Sequence, residues 1–176
     1  LGAQIVGHEG VDKRIDVLAT AMQAGLPVTA LKDLDLAYAP PYASAKDPVN
    51  LVGFMAENLE QGVVKQFHWE DVAGLPRDGS VTLLDARTPG EYSGGCAEGF
   101  VNVPLDELRD HLGEIAPGKP VYVMCQSGLR SYLACRILAQ DGYDCYNFSG
   151  GYRFYESVLL DRWTRQNAYP CGVERP

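Results

Sequence analysis

Apolar positions in the first sixty residues fall at helical spacing. Val11, Ile15, Leu18 and Met22 lie four, three and four residues apart, one stripe of a helix that Gly25 and Pro27 bring to an end. A short apolar run over 28–36 leads into Tyr38-Ala39-Pro40-Pro41-Tyr42. Two consecutive prolines force an extended turn there and hold the flanking tyrosines on a stiff loop. Val49, Leu51, Val52, Phe54, Met55 and Leu59 predict a further helix. Residues 1–7 read as a strand cut off from chain before it. They offer no initiator methionine and no charged start, so a signal peptide is not expected in them. The expectation is therefore a C-terminal piece of a longer protein. A lone strand with three helices buries little apolar surface, so this part should need missing chain or a partner subunit.

The pattern changes at Gln61-Gly62. Apolar runs at 63–68, 81–85 and 121–125, with a weaker one at 145–148, predict short strands, and residues 105–112 and 131–140 predict helices between them. In the second of these helices Leu133, Ala134, Ile137 and Leu138 share a face. Strands alternating with helices imply an α/β layer sandwich around a mainly parallel sheet. The expected division is 1–61, 62–165 and a tail over 166–176. No internal repeat or low-complexity tract interrupts it.

Composition narrows the partners. With 46% hydrophobic and 22% charged residues the chain is ordinary globular protein rather than a disordered or fibrous one. Its net charge of −8 argues against phosphate backbones and anionic lipid, so neither nucleic acid nor membrane is an expected partner. No apolar run is long enough to span a bilayer. Five cysteines (Cys96, Cys125, Cys135, Cys145, Cys171) are widely spaced and form no Cys-x-x-Cys pair, and His8, His68 and His111 are scattered. No metal site is expected, and four of the cysteines read as reduced structural thiols of a cytoplasmic protein. Cys171 stands in a tail where it could oxidise incidentally.

The fifth is different. The strand at 121–124 runs into Cys125-Gln126-Ser127-Gly128-Leu129-Arg130-Ser131 and a helix follows at once. Sites form at the carboxyl ends of parallel strands. A tight loop there can turn several backbone amides inward as an anion nest, and the next helix adds its positive end. Gly128 eases the turn. Arg130 is expected to close the loop with a permanent charge. Such surroundings stabilise a thiolate, lowering a cysteine pKa from about 8.5 into the range of roughly 3.5–7.5. Sulfur exchange needs little separate acid–base machinery, because attacking and leaving groups are both sulfur anions.

This stretch resembles the active-site loop of the rhodanese family. The resemblance extends to Leu83-Leu84-Asp85-Ala86-Arg87-Thr88-Pro89-Gly90-Glu91-Tyr92, to Gly95-Cys96-Ala97-Glu98-Gly99-Phe100-Val101-Asn102-Val103-Pro104, and to Phe148-Ser149-Gly150-Gly151-Tyr152. Cys96 stands where that family commonly has histidine, and Phe100 where a small residue is usual. The resemblance implies that Cys125 carries a persulfide, that residues 126–131 surround it, and that Asp85 and Arg87 brace the loop.

The first part has its own likeness. Gly7-x-Glu9-Gly10-Val11-Asp12-Lys13-Arg14-Ile15-Asp16, Asp35-Leu36-Ala37-Tyr38-Ala39-Pro40-Pro41-Tyr42 and Ser44-Ala45-Lys46-Asp47-Pro48-Val49-Asn50 resemble the end of the dimerisation domain of flavin-dependent pyridine-nucleotide disulfide reductases. The combination resembles coenzyme A disulfide and persulfide reductases fused to a rhodanese module. That implies a homodimeric parent using FAD, NAD(P)H and coenzyme A, in which Tyr42, with Tyr38 second, reaches across the dimer to the partner's flavin and coenzyme A site. It also implies a missing N-terminal flavin and NAD half as partner, a persulfide, polysulfide or coenzyme A persulfide as substrate, and no cofactor on the rhodanese module itself. No Gly-x-Gly-x-x-Gly loop occurs in this sequence.

Two other classes stay open. Cysteine phosphatases and arsenate reductases also cradle an oxyanion in a Cys-to-Arg loop, typically with five intervening residues, whereas four intervene between Cys125 and Arg130. A non-catalytic dimerisation and docking module is the third reading, since fold alone establishes no activity.

Overall fold

The computed structural model describes residues 1–166; Cys171 and the tail from 167 onward lie outside the described residues. The chain divides into two compact units, Leu1–Val63 and a second that begins at Val64.

In the first unit, helix α1 (Val11–Gln23) and helix α2 (Pro48–Glu60) flank a 3-10 turn at Val28–Asp33. Asp47 caps α2 by accepting from the Val49 amide, Asn50 returns a bond to the Asp47 amide, and Pro48 supplies a preset first turn. Arg14 reaches Asp47 with a 3.0 Å ion pair. Ala21, Leu31 and Val49 make a small core, and Asn50 ties down the carbonyls of Leu31 and Leu34. Residues 1–7 do not form the expected strand. Among the described residues of this unit there is no strand for them to pair with, and a strand without a neighbour has no ladder to hold it.

The second unit is a five-stranded, all-parallel sheet in the order β1-β5-β4-β2-β3, with β1 at Lys65–Phe67, β2 at Thr82–Asp85, β3 at Val101–Asn102, β4 at Val121–Met124 and β5 at Cys145–Phe148. Short helices α3 (Trp69–Val72) and α4 (Pro89–Ser93) precede the longer α5 (Leu129–Gln140) and α6 (Gly151–Gln166). Alternation along the strands divides the core in two. Leu84, Val121, Val123 and Cys145 pack with Ala134, Cys135 and Leu138 of α5. Leu83, Met124, Phe67 and Phe148 face the other way, with Val72 of α3 and with Tyr152 and Tyr155 of α6. Burial on both faces is why these strands are continuously apolar. Arg162 of α6 stacks 4.2 Å from the Trp69 ring and pins the far end of that helix.

The expected helix over 105–112 is two separate 3-10 turns, Leu105–Glu107 and Leu112–Glu114. Among the described residues no helix is long and apolar enough to cross a membrane.

Candidate active site

Central strand β4 delivers Cys125 to the carboxyl edge of the sheet, and α5 starts four residues later. The turn between them passes through Gly128 at φ 103°, a conformation that costs side-chain-bearing residues dearly. This geometry aims the Gly128 N–H at Cys125 Sγ, 3.1 Å away, and the fully buried Ser131 hydroxyl lies 3.2 Å from the same sulfur. Cys125 itself is only 1% exposed. Its sulfur thus sits against the apolar α5 face of the core while two neutral donors point at it. The expected ring of loop amides is represented at Sγ by that of Gly128. A side-chain hydroxyl one helical turn further on supplies the second donor. Gln126 is half-buried, and Ser127 and Leu129 are exposed.

Asp85 and Arg87 lie beside the loop. Asp85 ends β2 beside Met124, so the following residues run alongside Cys125. The Asp85 carboxylate takes a forked set of bonds from Arg87 at 2.7–3.0 Å, including one from the Arg87 amide. Both side chains are essentially without solvent. From this position the guanidinium reaches the carbonyls of Glu91 and Gly95 and the side-chain oxygen of Gln126, and it lies 4.0 Å from the Tyr152 ring. Asn102 holds the Asp85 and Arg87 carbonyls through its side-chain amide. One buried cation thereby links the end of β2, the loop after α4, the sulfur loop and α6.

Arg130 is paired: its two Nη atoms are each 2.7 Å from a carboxylate oxygen of Glu91 on α4, a fork-to-fork pair. Glu91 also caps α4, accepting from the Thr88 amide and hydroxyl. The Arg130 guanidinium, helped by the Thr88 amide, holds the Glu91 carboxyl at about 2, well below its ordinary value. A lowered carboxylate contributes stability above the ordinary carboxylate range and loses it as pH falls through about 2. The pair therefore stays closed at any pH near neutrality.

The loop is held from above by the start of α6. The amides of Tyr152 and Arg153 donate to the carbonyls of Cys125 and Gln126 at 2.7 and 3.2 Å. Gly151, at φ 69°, makes the approach possible, since a Cβ there would stand 2.5 Å from the Gln126 carbonyl and the Ser127 nitrogen. Those are backbone atoms and cannot swing aside. Gly151→Ala is therefore expected to destabilise the fold by about 1–3 kcal/mol and to loosen the loop. Urea unfolding together with the alkylation rate of Cys125 measures both, and wild-type values in both would contradict this packing.

Sequence reading missed Glu91, Asn102, Gly151 and Tyr152 as parts of the site. The cap signal Thr88-Pro89-x-Glu91 marks Glu91 as structural, and nothing local announces its bond to a residue 39 positions away. Cys135 and Cys145 are buried in the core. The neighbouring Cys145, and then burial, push the Cys135 thiol up, keeping it protonated. Cys96 is exposed. Phe100, at a position expected to be small, fills the core instead. In the first unit Tyr42 is 85% exposed and Tyr38 about half exposed, on a turn closed by amide bonds to the Ala39 carbonyl. No group of metal-ligating side chains occurs among the described residues.

A parallel sheet with a cysteine at its central carboxyl edge, cradled by a helix start and flanked by a buried Asp-x-Arg, defines a rhodanese-like domain. The model of that family matches residues 68–157, and the chain belongs to it. Among solved structures, reduced Bacillus anthracis CoADR-RHD superposes with a TM-score of 0.83 at 47% identity, covering 88% of this chain and 28% of that one. The NAD-dependent persulfide reductase from A. fulgidus superposes with a TM-score of 0.71 at 38% identity, covering 84% of this chain and 26% of that one. The coenzyme A disulfide reductase of Staphylococcus haemolyticus is 51% identical over 59 residues, 34% of this chain. The chain thus spans 13% of that relative and little more than a quarter of the two solved chains.

Proposed function

We propose that this chain is a persulfide-carrying sulfurtransferase module of a larger flavin- and NAD(P)H-dependent reductase acting on coenzyme A disulfide, persulfide or polysulfide. The observation that carries the first half is the Cys125 sulfur facing the Gly128 N–H and the Ser131 hydroxyl at the start of α5. Both donors suit an anionic sulfur, whether thiolate or persulfide. In uptake, the Cys125 thiolate attacks the sulfane sulfur of a donor RSSH. The new S–S bond forms as the donor's breaks, and the donor leaves as a thiolate that takes the proton, RSH. A nucleophile then removes the outer sulfur and Cys125 departs again as thiolate. No residue need act as a general base.

The second half rests on the relatives, named as coenzyme A disulfide and persulfide reductases. FAD, NAD(P)H and coenzyme A belong in this proposal to the rest of the longer protein, because this sequence has no dinucleotide loop. Tyr42, with Tyr38 second, serves a dimeric partner's flavin and coenzyme A site, for which its exposure is suitable. Mass spectrometry after exposure to coenzyme A persulfide tests the module. A gain of about 32 Da, one sulfur atom, is expected on Cys125 and not on Cys96, Cys135 or Cys145. Labelling spread over the cysteines, or absent from Cys125, would refute it.

A further inference from the structure

We propose that Cys135 and Cys145 form a second sulfur site in this unit, a dithiol that a hydroperoxide closes to a disulfide joining α5 to β5. The proposal is independent of what Cys125 carries.

The two residues come together because α5 packs on the face of the sheet to which β5 contributes Cys145. Cys145 Sγ stands 3.1 Å from the Cys135 carbonyl. The two thiols are also in hydrogen-bond contact with each other. Thiols already in contact need only a small side-chain movement to reach an S–S bond of about 2 Å. The donors at Cys125 Sγ are Gly128 and Ser131, so this pair stands apart from that sulfur.

The surroundings make the two sulfurs unequal. Cys135 is 2% exposed, and Cys145 and burial hold its thiol up. Cys145 opens β5 and is 9% exposed. A hydrogen bond from the Cys135 thiol holds the Cys145 thiol below its ordinary value against the effect of burial. Arg136 and Lys65 add to the lowering and Asp144 opposes it. Cys145 is therefore the sulfur that ionises and meets the oxidant, and Cys135 is the one that resolves it.

With hydrogen peroxide, the Cys145 thiolate attacks one oxygen and the O–O bond breaks. Cys145 becomes a sulfenic acid, and the departing hydroxide takes up the proton that Cys145 released. The Cys135 sulfur then attacks that of Cys145. The S–S bond forms, the S–O bond breaks, and hydroxide leaves with the Cys135 proton as water. Two thiols lose two electrons, and the peroxide is reduced to water. The link ties α5, one turn beyond Ser131, to the first residue of β5.

Peptide mapping of the full chain under non-reducing conditions is the test. Trypsin cuts after Arg130, Arg136 and Arg153, so Cys125, Cys135 and Cys145 fall on three peptides. After hydrogen peroxide, peptides 131–136 and 137–153 should appear joined, about 2 Da below the sum of their masses for the two hydrogens lost. Dithiothreitol should separate them again. At the same dose Cys135 should stay a thiol in Cys145→Ala, whereas in Cys135→Ala dimedone should trap a sulfenic acid on Cys145. Oxidation of the exposed Cys96 while both peptides keep free thiols, or a link from Cys135 to Cys125 instead, overturns the proposal. The native chain decides this even if a variant fails to fold.

Discussion

Cys125→Ser is expected to lower sulfur transfer from a persulfide to cyanide by about 10³-fold or more while leaving the fold intact. Serine fits the same 1%-exposed position and can still accept from Gly128 and Ser131. Its oxygen remains protonated at neutral pH and is a poor nucleophile towards sulfur, so the carrier step fails and the packing survives. Steady-state transfer assays on the native chain and the variant, with urea unfolding as the control for folding, measure the two halves separately. Equal transfer rates would remove Cys125 from the mechanism. A collapse of stability with the loss of rate would show that its role in the core, beside Val123 and Ala134, is the dominant one.

The second large effect concerns stability. Asp85→Asn is expected to destabilise the protein by about 3–5 kcal/mol, since it strands a guanidinium that has almost no solvent contact. The damage should spread to the site, because Arg87 is also the donor to Gln126 and to the Gly95 and Glu91 carbonyls. Replacing both partners, Asp85→Leu with Arg87→Met, should recover a large part of the loss, because the main cost lies in the orphaned charge rather than in the missing attraction. Chemical denaturation of the three proteins tests this. A loss below about 1 kcal/mol for Asp85→Asn would mean that water reaches Arg87 and that the pair is ordinary surface electrostatics.

Much of the fold was legible in the pattern. The stripe at Val11, Ile15, Leu18 and Met22 is α1, and the capped apolar run after Asp47 is α2. Four of the five strands lie where apolar runs stand. The fifth, Val101–Asn102, is two residues long and has β2 as its partner, which is too short for any period to register. Helix α6 escaped because Gly150 and Gly151 read as a turn and the residues after them alternate apolar with charged types around the whole circumference. The region at 105–112 had helical spacing, but it folds as two separate 3-10 turns, Leu105–Glu107 and Leu112–Glu114.

What adjacent residues encode, the sequence by itself determined: a strand that ends in cysteine, a glycine that permits the turn, and a helix that starts at once. These depend on steric limits and hydrophobic spacing acting over a few positions. Only the tertiary structure decided which charges face the sulfur. Glu91 and Arg130 lie 39 residues apart and meet because β2 and β4 are neighbours in the sheet. A guanidinium binds whichever carboxylate folding brings within reach, and that choice depends on distance in space rather than along the chain.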